Sequence, residues 1–517
     1  MKKNIIKSLV LATLIGATGV VTSCNDALDI VQPGELNESA IFTSVTNLEK
    51  YLIGDVYSNA DPSNEIYLSA VLSDEVKPGF RSGGQEFDLH RFYLSTSDGY
   101  TANIWVQHYR LINRVNRLLK GAENITPAAS EVTKYNRILG EARALRAWSY
   151  TQLTAYFSTD FKNADALGVI KVEGIPTADA KLPRVKNAEI FAIIEEDLAF
   201  AASVLGRGET HYKADIDFVN ALRARYYTYR GDYNLAKQYA NELVANSGLA
   251  LTVATPSTVN NLAVGGAAWN AQFYAVATSF NPYRNIWNDS ERGEVITSLQ
   301  RIASGSGGNI GTFWNTNNSS YTGVPMWVWG RNLFNIFYNT PGDIRRYAYV
   351  DPTSRIDPNY ETAASPMNSD VLVIDKYPGK TGLPTRNDIK LFRLSEMYLI
   401  LAEAEAQNNN LAAANTYVQK VREARNYLGE ATTPTYASKE DALKDILKER
   451  RVELALEGHR LIDLKRLAAQ AGVKMDRNAT DDIVTVSNLE NGDFRYTLPI
   501  PLNETAANPN AQQNPGY

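Results

Sequence analysis

Apolar residues return every three or four positions in several long windows, the spacing that lines one face of an α-helix. Trp105, Tyr109, Ile112, Asn116 and Leu119 do so within 100–121, and Leu145, Trp148, Leu153 and Tyr156 within 141–157, among alanines and arginines that favour helix. A third helix is predicted over 188–205, with Asn187 as its N-cap. Between 217 and 244 the pattern reads helix, turn at Gly231 and Asp232, helix, and Ala236, Tyr239, Ala240, Leu243 and Val244 make one buried stripe. Residues 391–426 repeat the arrangement, with Leu394, Met397, Tyr398, Leu401 and Ala402 as the stripe of the first helix.

Small residues facing bulky ones across a short turn resemble a tetratricopeptide unit of about 34 residues, although a generic antiparallel helix pair fits the same spacing. Between 251 and 385 the long periodicity stops and glycine, asparagine, proline and serine accumulate. From Val264 to Val350 there are 16 aromatics in 87 residues, against 10% for the whole chain, and five of the seven tryptophans fall there. A long irregular stretch inside a compact protein is commonly functional.

Composition narrows the function classes. The 517 residues are 44% hydrophobic and 21% charged with one cysteine, so disordered, collagenous and disulfide-stapled classes fall away. A net charge of −5 lacks the positive excess that a nucleic-acid surface demands. The lone Cys24 follows Lys2, Lys3 and Lys7, an apolar run from Ser8 to Val21, and the small residue Ser23. That order is the one of a secretory signal over 1–23, and Val21 to Cys24 resembles a lipobox, in which the Cys24 sulfur is lipidated; the alternative is an ordinary signal peptide followed by a buried thiol. Removing 1–23 takes away three lysines and no acid, so the remaining 494 residues carry −8. No later stretch is long and apolar enough to span a bilayer, so a lipid anchor is the expected tie to the membrane.

Catalytic signatures are missing. Of four histidines the closest two, His90 and His108, are 18 residues apart with no cysteine near, so no zinc spacing can be assembled and no metal is expected. Gly379, Lys380 and Thr381 end like a phosphate loop, but Ile374 stands where its first glycine belongs, and Ile310 breaks the dinucleotide spacing of Gly305, Gly307 and Gly308. The adjacent acids Asp74 and Glu75, and Glu195 and Glu196, read as solvated surface. Glu449, Glu453 and Glu457, interleaved with Arg450 and Arg451 on one helix ended by Gly458, read as a structural charge network.

Five ordered segments in the C-terminal part are specific as a set: LFRLSEMYLILAEA (391–404), VQKVREARN (418–426), ILKERRVELALEGHRLIDLKR (446–466), YTLPIPLNE (496–504) and NPNAQQNPGY (508–517). With CNDALDIVQP from Cys24, LSDE at 72–75 and LGEARALRAWSYTQLTAYF at 139–157, the chain resembles the SusD/RagB family of Bacteroidetes outer-membrane lipoproteins over essentially its whole length after residue 23. The resemblance implies a mostly α fold: about four tetratricopeptide-like helix pairs, mainly within 100–250 and 386–470, and an irregular ligand-facing region at 251–385, all in one body from 24 to 517. It implies a surface-exposed, lipid-anchored binding protein without catalysis or cofactor, which captures a glycan and passes it to a SusC-like TonB-dependent barrel. Alternatives are a peptide receptor of the RagB type and a scaffold of the transporter complex with no ligand of its own.

Sugar rings stack C–H faces on aromatics while their hydroxyls take hydrogen bonds, so a glycan site wants flat rings beside arginine, asparagine and aspartate. Trp314, next to Asn315, Asn317 and Asn318, is the leading expectation for an exposed ring, followed by Trp287 with Arg284, Asn285 and Asn288. Trp327 and Trp329 point to one side if the segment is extended, which makes either a platform or a core face. Tyr283 and Tyr321 join the expected ligand set. By the resemblance Asp74 and Arg81 join it too, Asp74 alternatively pinning its own loop.

Overall fold

The computed structural model describes residues 41–79, 83–84, 86–177, 179–255, 262–275, 280–302, 310–314 and 325–517. Cys24 and the expected signal segment, Arg81, Tyr321 and the asparagines after Trp314 lie outside them.

Helices dominate, as the apolar periodicity requires. In chain order they are α1 (Val45–Tyr51), α2 (Ser63–Val71), α3 (Gly99–Ala122), α4 (Val132–Phe157), α5 (Asn187–Val204), α6 (Ile216–Arg230), α7 (Tyr233–Asn246), α8 (Arg331–Asn339), α9 (Leu394–Gln407), α10 (Leu411–Arg425), α11 (Lys439–Glu453) and α12 (Arg460–Leu467), with several shorter turns of helix between them. Side-chain caps start many of them: Asp98 accepts from the Thr101 N–H at 2.8 Å, Asp215 from Phe218 at 3.0 Å and Ser438 from Asp441 at 3.0 Å. Gly231, at φ 79°, closes α6 in the left-handed conformation and lets α7 fold straight back along it. Asn187 is not a cap. It is the first residue of α5, and its amide donates instead to Ser158 Oγ and to the Asp160 and Asn163 carbonyls, tying α5 to the end of α4.

The helices stack in order of sequence. α3 packs on α4 and α4 on α5; α6 and α7 form a hairpin, α7 lies against α9, α9 against α10, and α11 closes the row. This is the tetratricopeptide-like scaffold that the resemblance implies. Among the described residues three small antiparallel ladders complete it: β1 (Val76–Pro78) with β5 (Trp327–Trp329), β2 (Leu167–Ile170) with β3 (Arg184–Lys186), and β4 (Val295–Leu299) with β6 (Ile389–Arg393). Each of β1, β4, β5 and β6 is buried along its length, so these ladders are core, not edge.

The charge run at Glu449 to Glu457 is a structural network, with partners the sequence spacing does not suggest. Its acids pair with cations from remote elements. Arg393, at the end of β6, reaches Glu294 and Glu453 at 2.7 Å each and Glu457 at 2.7 Å. Arg425, at the end of α10, reaches Glu294 at 2.8 Å and Glu453 at 2.9 Å. Arg345 adds Asp343 and Glu449 at 2.7 Å and Glu453 at 3.2 Å, and Lys376 holds Glu457 at 2.7 Å. These side chains are 5% exposed or less. Glu457 falls in the turn after α11, which ends at Glu453 rather than at Gly458. Arg450 and Arg451 serve other acids, Asp463 at 2.7 Å and Asp74 at 3.3 Å. Burial works to raise the carboxyl of Glu453, and the Arg425 and Arg393 guanidiniums beside it outweigh that and hold it well below the ordinary range.

Removing one member of such a network strands buried charges of the other sign, which typically costs about 3–5 kcal/mol. Glu453→Ala is therefore expected to lose at least that much in equilibrium chemical denaturation, whereas Glu196→Ala, at an exposed ion pair, is expected to change stability by less than about 1 kcal/mol.

Candidate functional site

The aromatic stretch folds inward. Trp287, Trp327, Trp329 and Tyr283 are fully buried, and Trp314 is 2% exposed, so the expectation of exposed stacking rings at these positions is corrected. Trp287 and Tyr283 sit on the short helix Pro282–Trp287, whose rings are covered by the cations of the buried network: Lys376 Nζ stands 4.2 Å from the centre of the Trp287 ring, and Arg425 4.4 Å from that of Tyr283. The polar neighbours that suggested ligand contact at Trp287 are spent internally, Arg284 on Asp375 at 2.7 Å and Asn288 on Ser290. Trp327 and Trp329 are a core face. Opposite Pro78 and Val76 in the ladder, they donate to Tyr67 Oη at 3.0 Å and to the Tyr349 carbonyl at 2.9 Å.

Asp74 and Glu75 are likewise buried, not solvated. Asp74 receives a two-pronged bond from Arg460 at 2.7 and 2.8 Å and the N–H of Asp476 at 2.9 Å. It pins the turn after α2 to α12. Burial works to raise its carboxyl, and Arg451 and Arg460 more than reverse this, leaving it well below the usual carboxylate range. Glu75 is the opposite case: burial pushes it up to about 8, against a single backbone donor, Leu456 N–H at 3.0 Å.

What the fold does bring together near the surface is a patch that sequence reasoning missed. Tyr67 of α2 lies at its base, with the Tyr100 ring 4.5 Å and the Phe313 ring 4.8 Å from its own. Trp314 at 5.8 Å and Trp327 at 6.4 Å back it from the core. Over the rings sits Glu86, half-buried, whose carboxylate accepts from the hydroxyls of both Tyr67 and Tyr100, the latter at 2.8 Å. Burial and then the Glu86 carboxylate push the Tyr100 hydroxyl up to about 12, and that of Tyr67 higher still, so both remain proton donors at neutral pH. Glu86 has φ 59°, a conformation uncommon for a residue with a side chain and worth attention where a ligand is to be met. Tyr100 and Phe313 are half-buried and present one side outward. The arrangement offers ring faces, a carboxylate acceptor and hydroxyls, and no nucleophile with a base beside it. The signal available in sequence was slight: Tyr67 lies five residues before LSDE and Tyr100 opens a helix, and nothing in their spacing announces Phe313 as a neighbour.

Among the described residues no group of histidine, cysteine and acidic side chains is arranged to hold a metal ion, and no helix is long and apolar enough to cross a membrane. A cavity of about 740 Å³ lies elsewhere, between α11 and the segment around Met475, and none of the expected ligand residues lines it.

Comparison with known proteins agrees with the fold at both ends of the chain. The SusD family matches residues 311–517, and a family described as "Starch-binding associating with outer membrane" matches residues 28–228. The chain belongs to the SusD/RagB family. A SusD-like protein of Formosa agariphila is 25% identical across all of this chain and 99% of its own length. Among solved structures, a SusD superfamily protein from Bacteroides thetaiotaomicron superposes with a TM-score of 0.73 at 23% identity, covering 92% of this chain and 100% of that one. A putative sugar binding protein from Bacteroides vulgatus superposes with a TM-score of 0.72 at 24% identity, covering 92% and 99%. At these identities the structural likeness establishes a shared SusD fold.

Two outcomes follow from the geometry around the LSDE segment. Asp74→Ala is expected to cost about 3–5 kcal/mol of folding stability by stranding Arg460 and Arg451. Glu75 has a raised carboxyl, so its favourable contribution is complete below its ordinary value of 4.5 and is lost as pH rises towards about 8. Relative to Glu75→Gln, the wild-type protein should therefore lose a few kcal/mol of stability in denaturation series run from pH 5 to pH 8.5; parallel pH curves for the two proteins would show that Glu75 ionises normally.

Proposed function

We propose that this protein is a non-enzymatic glycan-binding protein of the outer membrane, held at the cell surface by a lipid on Cys24, that captures an oligosaccharide and hands it to a TonB-dependent barrel. The observation that carries the reading is the patch of Tyr67, Tyr100, Phe313 and Glu86. Sugar C–H faces suit the outward sides of Tyr100 and Phe313, and the ring hydroxyls suit the Glu86 carboxylate and the phenolic groups. Each stacked ring contributes about 1 kcal/mol, by analogy with aromatic pairs. Trp314 and Trp327 act from behind, fixing Tyr67 and Phe313 in place, rather than as faces the ligand touches. Membership of the SusD/RagB family, the description of one matching family as starch-binding, and a sugar-binding structural relative support the ligand class. The helical repeats offer a broad rigid surface for the barrel, and capture on a preformed patch needs no bond to be made or broken in the ligand.

Titration calorimetry of the wild-type protein against a panel of neutral and acidic oligosaccharides and of peptides tests this. At least one oligosaccharide is expected to bind, and Phe313→Ala and Glu86→Gln are each expected to weaken it about tenfold, close to 1.4 kcal/mol. Binding confined to peptides turns the reading to a peptide receptor; no binding of either kind turns it to a scaffold.

A further inference from the structure

A second place in the fold has the chemistry of a sugar site, and it lies inside the aromatic-rich stretch, away from the Glu86 patch. A cavity of about 140 Å³ is enclosed by the short helix Ala267–Phe273, the end of α8 and the segment from Arg346 to Ile356. Three tyrosines, Tyr274, Tyr338 and Tyr347, wall it, and its polar groups are Asn270, Arg346 and Asp351. Gly265, at φ 79°, forms part of the rim, where a Cβ would come within 3.1 Å of the Tyr347 ring and narrow the space.

The polar groups are unevenly satisfied. Asn270 donates its amide N–H to the Gly265 carbonyl at 3.2 Å, while its Oδ1 is buried and has no hydrogen-bond partner among the described residues. A buried acceptor left in that state is costly and uncommon in a native fold. The Arg346 guanidinium stands 4.0 Å from the Tyr338 ring centre and 5.4 Å from that of Tyr347, and among the described residues no carboxylate lies in ion-pair range of it. Asp351, 5% exposed, accepts from the Thr353 N–H at 2.8 Å and its hydroxyl at 2.5 Å through one carboxylate oxygen. Two arginines in the same region are matched to acids instead, Arg284 to Asp375 and Arg345 to Asp343.

This mixture selects among ligand classes. An anion gains Arg346 but meets Asp351 and the bare oxygen of Asn270. An apolar group leaves the Arg346 guanidinium and the Asn270 oxygen without partners. A hydroxyl both donates and accepts, so a ring carrying several hydroxyls suits Arg346 and Asp351 together, beside Asn270, while its C–H groups lie on tyrosine. The volume inside is about that of one ring. We propose that this cavity is a second saccharide subsite that seats a single neutral sugar unit, such as the end of a branch. The proposal rests on the reading of the protein as a glycan binder.

Saturation-transfer NMR on the full chain, with D-glucose, D-galactose, D-mannose and the two N-acetylhexosamines as probes, tests it, together with calorimetry on matching tri- to hexasaccharides. The variants are the pair Asn270→Leu with Arg346→Met, which removes the polarity, and separately Ile356→Trp, which fills the space from another wall; thermal melts show whether each is folded. At least one monosaccharide is expected to give signals on the wild-type protein that fall fivefold or more in both variants, and a branched oligosaccharide to bind about tenfold more weakly. Oligosaccharide binding with monosaccharide signals unchanged in both variants overturns the subsite and leaves the glycan reading intact: the cavity then holds water only. No signal from any sugar on the wild-type protein overturns both.

Discussion

The fold depends on charge neutralised out of contact with water. Glu294, Arg393, Arg425 and Glu453 come from the approach to β4, the end of β6, the end of α10 and the end of α11, and all four are 1% exposed or less. Isolated in the interior, any one of them would be ruinous; together, with Arg345, Asp343, Glu449, Glu457 and Lys376 around them, the charges alternate and the forked guanidiniums satisfy several carboxylate oxygens at once. A buried network of this kind adds little net stability over a well-packed apolar core. Its contribution is to admit a single arrangement of the segments that carry it, because any slip of register leaves a charge unpaired. That is what a chain needs where a region with few long helices must lock onto a helical stack.

The same network decides the fate of the aromatic stretch. Its cations need more than carboxylates, and the faces of Trp287 and Tyr283 supply it, with Lys376 at 4.2 Å and Arg425 at 4.4 Å. Tyr349 extends the layer: it bonds the Tyr283 hydroxyl at 2.7 Å, donates to the Glu453 carbonyl at 3.2 Å and stacks near Trp329. From there β5 leads to Trp327, Tyr67 and the outward rings of the Glu86 patch. The patch is thus the visible edge of an aromatic layer whose interior is clamped by the network, which gives it the rigidity that a preformed binding surface requires.

The helical half of the fold was legible because its physics is local. Stripes at three and four residues and Gly231 at a turn each report on their own neighbourhood, and the pairs at 217–244 and 391–426 appear where the periodicity places them. The Glu449 to Glu457 run was legible as structural but not in its partners, since Arg345, Arg393 and Arg425 lie up to 108 positions away. Asn187 misled because asparagine can serve an N-cap or bridge three groups elsewhere with equal ease, and only the tertiary structure selects. Asp74 and Glu75 misled because adjacency says nothing about burial; Arg460 sits 386 positions on.

The misplaced tryptophans follow from a more general constraint. A segment with few long helices or strands cannot bury apolar surface through periodic faces, yet it must bury enough to offset the ordering of its backbone. Large rings do this with the fewest residues, since each removes more area from water than an aliphatic side chain and can still satisfy one polar group, as Trp327 and Trp329 do through Nε1. Aromatic enrichment in an irregular stretch is therefore first a sign of how that stretch makes a core. A binding surface is better sought where rings meet polar groups the fold has not already used, and by that criterion Asn270 Oδ1 and the Arg346 guanidinium outrank Trp327 and Trp329, whose Nε1 groups are already spent.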